Sequence, residues 1–157
     1  MTKEDPLVAF LTESNAIEGI TRPVTDDEVA AAKDFLALRE ISIPELQRLV
    51  TAFQPDAVIR ASKGLDVRVG NHLPPSGGPQ IARLLGTHIA AVNASDSFHA
   101  WRLHLGYEAL HPFTDGNGRS GRMLWLWSML KDNGIGSVLR LSFLHRFYYQ
   151  TLKESCP

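Results

Sequence analysis

The stretch His111 to Arg122, HPFTDGNGRSGR, gathers a base, a carboxylate, two arginines and a glycine-flanked asparagine directly before an apolar run, MLWLWSML. A Gly-rich turn opening onto a helix N-terminus attracts anions. Its first backbone N–H groups have no intrahelical partner, and the helix dipole favours negative charge there. Arg119 and Arg122 lie three apart, a spacing that lets both rise along one side of the first turn toward the same anion. His111 stands just outside the turn, where imidazole is the side chain best suited to take a proton near neutral pH.

Attack on phosphorus needs a nucleophile stripped of its proton, an in-line approach and compensation of charge on the phosphate oxygens. His111 is the expected base. Asp115 is the expected Mg²⁺ ligand, since Mg²⁺ takes one or two carboxylates together with phosphate oxygens and water. Gly116 and Gly118 let the backbone approach a phosphate closely. Asn117 is placed to hold the α-phosphate, and Arg119 and Arg122 are fork-shaped donors for the β- and γ-phosphates. Phe113 is expected in the core, as a plug that anchors the loop.

Each residue also has a plainer reading. His111 would cap a helix, Asp115 would be an N-cap or turn aspartate, Gly-Asn-Gly would be an ordinary turn, and the arginines would form surface ion pairs. Their company within one turn favours the phosphate reading. Gly116, Gly118 and Gly121 also match G-x-G-x-x-G, but that fingerprint needs a preceding strand, and here a helical pattern precedes it. A P-loop is excluded by the absence of G-K-[ST]. His72, His88, His99, His104 and His145 are expected to be structural, with His104 helping to order the helix before the loop.

The elements that must position this turn read as helices. Leu7 to Ile17 has a 3-to-4 apolar spacing and is closed by Gly19. Thr25-Asp26-Asp27-Glu28 is a capping box for a helix through about Leu38, and Ser42-Ile43-Pro44-Glu45 repeats the device for a helix through Phe53. Val58 to Arg60 and Val67 to Val69 are β-like pieces around Ser62-Lys63-Gly64 and suggest a hairpin; Asn71 to Pro79 is a Pro/Gly loop. Helices resume at Gln80 to Val92 and Ser97 to Leu110. Pro112 then pushes His111 toward an extended conformation. Ser120 to about Asp132 and Ser142 to about Glu154 complete an all-α domain with one small β-hairpin.

The chain has 157 residues, 44% hydrophobic and 21% charged, which suits one soluble globular domain. A net charge of -1 gives no general attraction to nucleic acid or anionic membrane, so phosphate affinity must be local. The lone Cys156 excludes an intramolecular disulfide framework. MTKEDPLVAF lacks the apolar core of a signal peptide, and no apolar run reaches the ~18 residues of a membrane span. A cytoplasmic enzyme is the expectation. Nothing in the sequence reads out a homo-oligomer.

The signature resembles that of Fic-domain proteins, His-x-Phe-x-(Asp/Glu)-Gly-Asn-(Gly/Lys)-Arg-x-x-Arg, with His111, Phe113, Asp115, Gly116, Asn117, Gly118, Arg119 and Arg122 at the specified positions. His104 to Phe113 resembles the helix entering that signature. Ser142 to Leu152, with Tyr148 and Tyr149, resembles the closing helix, and the hairpin over 58–70 resembles the target-docking flap, departing from its usual pattern at Leu65-Asp66. The resemblance implies one Fic domain over 1–157, with the active site in 97–132, that transfers AMP from ATP to a target hydroxyl with Mg²⁺. Related branches transfer phosphate or phosphocholine, and Gly118 in place of lysine points away from the phosphate branch. A non-catalytic nucleotide-binding module is the alternative from another class.

Ser14-Asn15-Ala16-Ile17-Glu18-Gly19 resembles the family's inhibitory motif, (Ser/Thr)-x-x-x-Glu-(Gly/Asn). The resemblance implies that residues 1–20 form an inhibitory helix. Glu18 would pair with Arg122, repel the γ-phosphate and leave ATP misaligned for attack. In some relatives the same glutamate supports removal of AMP from the target.

Overall fold

The computed structural model describes residues 4–140, and the capping signals in that span mark where its first helices begin. Helix α1 (Pro6–Ile17) starts on Asp5, whose carboxylate accepts the Leu7 N–H at 2.9 Å, with Pro6 in the first turn. It ends where Gly19 turns left-handed at φ 74°. Helix α2 (Asp26–Leu36) has both halves of its capping box: Thr25 Oγ1 accepts the Glu28 N–H, and Glu28 Oε2 accepts the Thr25 N–H. Ser42 caps α3 (Ile43–Phe53) by accepting from the Glu45 N–H. There follow α4 (Pro79–Ala94), a single 3₁₀ turn (Ser97–His99), α5 (Ala100–Leu110), α6 (Asn117–Met129) and α7 (Ile135–Arg140).

Helix α6 organises the domain. Its residues are buried almost without interruption from Asn117 to Ser128, against α1, α2, α3 and α5. A helix covered all round belongs at the centre of a core. Leu46, Val50, Ile81, Leu85 and Phe113 pack into the same core, and Trp127 satisfies its indole N–H on the Leu38 carbonyl at 3.0 Å. The N-terminus of α6, with its unpaired N–H groups, is thereby held rigidly.

The expected hairpin over 58–70 does not form. Ile59 instead makes an antiparallel bridge with Phe113, with Arg60 N–H on the Pro112 carbonyl and Thr114 N–H on the Val58 carbonyl, both at 2.9 Å. Val69 pairs only with His72, across a tight turn at Gly70. The first β-like piece does pair antiparallel, but it finds its partner in the signature loop. Residues 57–78 thus form a strap across the end of α5. Helix α6 also starts at Asn117, ahead of the expected Ser120, because Gly116 takes φ 77° and its carbonyl receives the Ser120 N–H. Helix α7, beyond Asn133-Gly134, was not expected. The expected closing helix, with Tyr148 and Tyr149, lies outside the described residues, as do His145 and Cys156. Among the described residues no helix is long and apolar enough to cross a membrane.

Candidate active site

His111 closes α5 with φ 49° and ψ 62°, the one non-glycine residue with positive φ among those described. The expectation of an extended residue before Pro112 is corrected here. Proline disfavours the right-handed region, and His111 escapes it on the left-handed side because its N–H caps α5 on the Tyr107 carbonyl at 2.9 Å. A bulky residue in this region is uncommon and characteristic of functional sites. Burial first, and then the charge of Arg60, lowers the imidazole pKa from 6.5 to about 4, against opposing pulls from the Glu108 carbonyl and Glu18. The ring is neutral at pH 7, the form that accepts a proton. Its Nδ1 is buried beside the Glu108 carbonyl without reaching hydrogen-bond geometry, which leaves Nε2 to the cleft the ring lines.

The turn after His111 is held by Asn117. Its Oδ1 accepts the Phe113 N–H at 2.9 Å and its Nδ2 donates to the Phe113 carbonyl at 2.8 Å, both buried. The side chain expected to hold a phosphate is thus also a clasp for the loop, with Oδ1 and one Nδ2 hydrogen engaged by the Phe113 backbone. Among the described residues no acceptor receives the N–H of Asn117, Gly118 or Arg119. Those donors make an anion nest at the positive end of α6. Phe113 is fully buried, as expected of a plug. Asp115 lies exposed on the lip of the cleft, with Oδ1 accepting the Gly116 N–H at 2.7 Å. No cluster of three or more His, Cys, Asp or Glu suited to a metal occurs among the described residues. A lone carboxylate beside an anion nest fits a cation shared with phosphate oxygens.

The two arginines diverge, contrary to the expectation that both rise along one side. Arg119 lies over the Phe53 ring at 5.4 Å, with Nη2 on Gln54 Oε1 at 3.3 Å and Nη1 3.8 Å from Glu28. Its Nε and Nη1 are buried with no hydrogen-bond acceptor, yet the residue lines the cleft. Arg122 turns under α1: Nε donates to Ser14 Oγ at 2.7 Å, and Nη2 to the Ser14 carbonyl at 3.0 Å and to Glu18 Oε1 at 2.7 Å. Gly19 lets the chain leave α1 directly after Glu18. Gly118 is what lets the carboxylate come so close, because a Cβ there would run into Glu18 Oε1 and lie 3.1 Å from Arg122 Nη1.

These groups surround a cleft of ≈ 390 Å³, closed by Ile20 after α1, Gln54 after α3, Val67 and Arg68 of the strap, and Thr114 to Arg119. A larger hollow of ≈ 500 Å³ lies beside Trp127 and Lys131, but there the Lys131 ammonium is engaged with the carbonyls of Val92, Asn93 and Ser95. It brings together no base and no anion nest.

Sequence reasoning missed Arg60, Glu108, Gln54 and Glu28. Arg60 is fully buried and holds the carbonyls of Leu110 and His111. The signal available was an arginine ending the apolar run Ala57-Val58-Ile59. Glu28 was read only as a cap; it also receives Arg22 in a bidentate pair at 2.8 and 3.1 Å. Among the histidines set aside, His104 is buried with Nδ1 donating to the Gly121 carbonyl at 2.9 Å, and burial lowers its pKa to about 3. It stays neutral and ties α5 to α6, as expected.

Residues 32–129 match the sequence model of the Fic/DOC family. The chain is 26% identical over 121 residues to a protein adenylyltransferase Fic of Culex quinquefasciatus, and 27% identical over 122 residues to one of Aedes aegypti. Each alignment covers 73% of this chain and 24% of the relative, so the chain spans about a quarter of the length of these proteins.

Proposed function

The chain belongs to the Fic/DOC family, and from that membership we propose that it transfers AMP from ATP to a hydroxyl side chain of a protein target and is held inactive by Glu18. The observation that carries the reading is a neutral His111 across one cleft from the unpaired N–H groups of Asn117, Gly118 and Arg119. The base and the electrophile's seat face the same space.

In the reaction, the target hydroxyl gives its proton to His111 and its oxygen bonds to the α-phosphorus. The bond from that phosphorus to the bridging oxygen breaks, and pyrophosphate leaves with the electron pair. The N–H nest takes charge on the transferred phosphate, and Arg119, which lines the cleft, offers its positive charge to the leaving group. Arg122 would join it once Glu18 lets go of its Nη2. Asp115 would hold a Mg²⁺ shared with the phosphate oxygens, which would supply charge compensation on the triphosphate. The strap offers the target an edge: residues 66–68 make no backbone hydrogen bonds among the described residues, and strand addition there carries little sequence preference.

Glu18 acts by occupancy and by charge. It takes the guanidinium meant for the γ-phosphate, and it places an anion against Gly118 where the triphosphate must pass. The test is transfer of label from α-labelled ATP with Mg²⁺ by wild type, Glu18→Gly and Glu18→Gly/His111→Ala. Label on protein from Glu18→Gly alone supports both the chemistry and the brake. Label from the γ position would instead make the enzyme a phosphate transferase. ATP binding with no transfer by any variant would mean a site that binds without catalysing.

A further inference from the structure

Three consecutive carbonyls at the end of α5 terminate on one residue. Arg60 Nε donates to the His111 carbonyl at 2.7 Å and Nη2 to the Leu110 carbonyl at 3.0 Å, while the Arg60 backbone N–H donates to the Pro112 carbonyl at 2.9 Å. The remaining nitrogen, Nη1, holds the carbonyls of Leu65 and Pro75, at 3.1 and 2.8 Å. Those two residues bracket the part of the strap that carries Val67 and Arg68 into the cleft. The guanidinium is fully buried and makes no ion pair among the described residues. Asp66, a nearby acid, is engaged with the Gly77 N–H at 2.8 Å.

A buried charge without a counter-ion is costly, so carbonyl dipoles must converge on it, and their positions are fixed by that demand. The carbonyls so fixed flank the strained His111 backbone. Fixing the backbone of a residue fixes its Cα–Cβ direction, and so the aim of its imidazole.

The geometry points to Arg60 as the positioning residue of the base: it locks the left-handed turn at His111 and registers the strap against it. This rests on the reading of His111 as the base. Arg60 touches no residue of the anion nest, so its loss is expected to spare nucleotide binding and to strike the chemical step. Its charge also disfavours imidazolium at His111, so its removal is expected to raise the His111 titration.

The experiment uses the full chain in the Glu18→Gly background, with Arg60→Met and Arg60→Lys added separately. The readouts are ATP affinity, kcat and KM for ATP, melting temperature, and the His111 imidazole titration by NMR. Arg60→Met is expected to lower kcat by about 100-fold, the scale of a misplaced reacting group. ATP affinity should stay within about 2-fold, and the His111 midpoint should rise above that of the Glu18→Gly parent. Arg60→Lys keeps the charge and loses the fork, and is expected to lower kcat about 10-fold with the midpoint nearly unmoved. A folded Arg60→Met protein with unchanged kcat and midpoint overturns the proposal, even if it melts earlier, because the residue would then be structural only. Should Arg60→Met not fold, Arg60→Lys decides, and a kcat equal to the parent overturns the proposal. If Glu18→Gly itself transfers no label, the proposed chemistry has failed and the titration in Arg60→Met judges Arg60 alone.

Discussion

Replacing Glu18 with glycine removes one contact, and the structure sets its size. Glu18 Oε1 accepts a single charge-assisted hydrogen bond from Arg122 at 2.7 Å; the guanidinium is 1% exposed and the carboxylate 35%. A hydrogen bond to a charged group contributes about 1.5–3 kcal/mol, and exposure of the carboxylate places this one near the lower end, at about 2 kcal/mol. Arg122 keeps its two bonds to Ser14, so α1 remains attached when Glu18 is lost. If the brake acts through that contact, about 2 kcal/mol holds all but ~3% of molecules closed, and release multiplies the rate about 30-fold. Initial rates of label transfer from α-labelled ATP, measured at matched protein concentration and saturating nucleotide, give the ratio directly. Glu18→Asp, one methylene shorter, should fall between wild type and Glu18→Gly. Rates for Glu18→Gly within twofold of wild type would refute the reasoning, since the arginine would then not be limiting.

Other consequences follow from single contacts. Gly118→Ala puts a Cβ into the Glu18 carboxylate; the carboxylate ends a flexible side chain, so it should swing away, and basal transfer is expected to rise a few-fold, less than for Glu18→Gly. In Glu18→Gly enzyme, kcat/KM against pH should show no His111 limb near 6.5. The depressed pKa keeps the base neutral until pH approaches about 4, and removing Glu18, which raises that pKa, moves the limb lower still. Glu108 should make stability depend on pH. Burial above all raises its carboxyl from 4.5 to about 8, and although the residue is only partly covered, Oε1 is buried without a donor. A folded pKa above the unfolded one gives stability that is full below about 4.5 and is lost as pH rises through about 8. Melting temperatures of wild type should therefore fall between pH 5 and 9, and Glu108→Gln should flatten the slope.

Much of the scaffold was legible because its signals act within three or four residues. Thr25 and Glu28 satisfy one another's backbone, Ser42 meets Glu45, and Gly19 ends α1 where a left-handed residue is needed. The make-up of the candidate site was legible for the same reason. His111, Asp115 and the turn before α6 are contiguous, and a helix N-terminus carries its unpaired N–H groups wherever it is placed. The strap shows where that legibility stops. Val58 to Arg60 is extended, as β-branched residues favour, but an unpaired edge can close on any compatible partner, and it closed on Pro112 to Thr114 rather than on Val67 to Val69.

The sequence by itself determined which residue types share the turn, where its helix begins to within a few residues, and the all-α class. Tertiary structure decided the directions of the long polar side chains. Arginines three apart were free to point together, yet burial sent Arg119 toward Glu28 and Gln54, and Arg122 toward Ser14, more than a hundred positions away in the chain. It also bent His111 left-handed, because Tyr107 caps its N–H and Arg60 gathers the carbonyls around it. Backbone signals are satisfied locally, whereas a buried charge must find its partners wherever packing brings them.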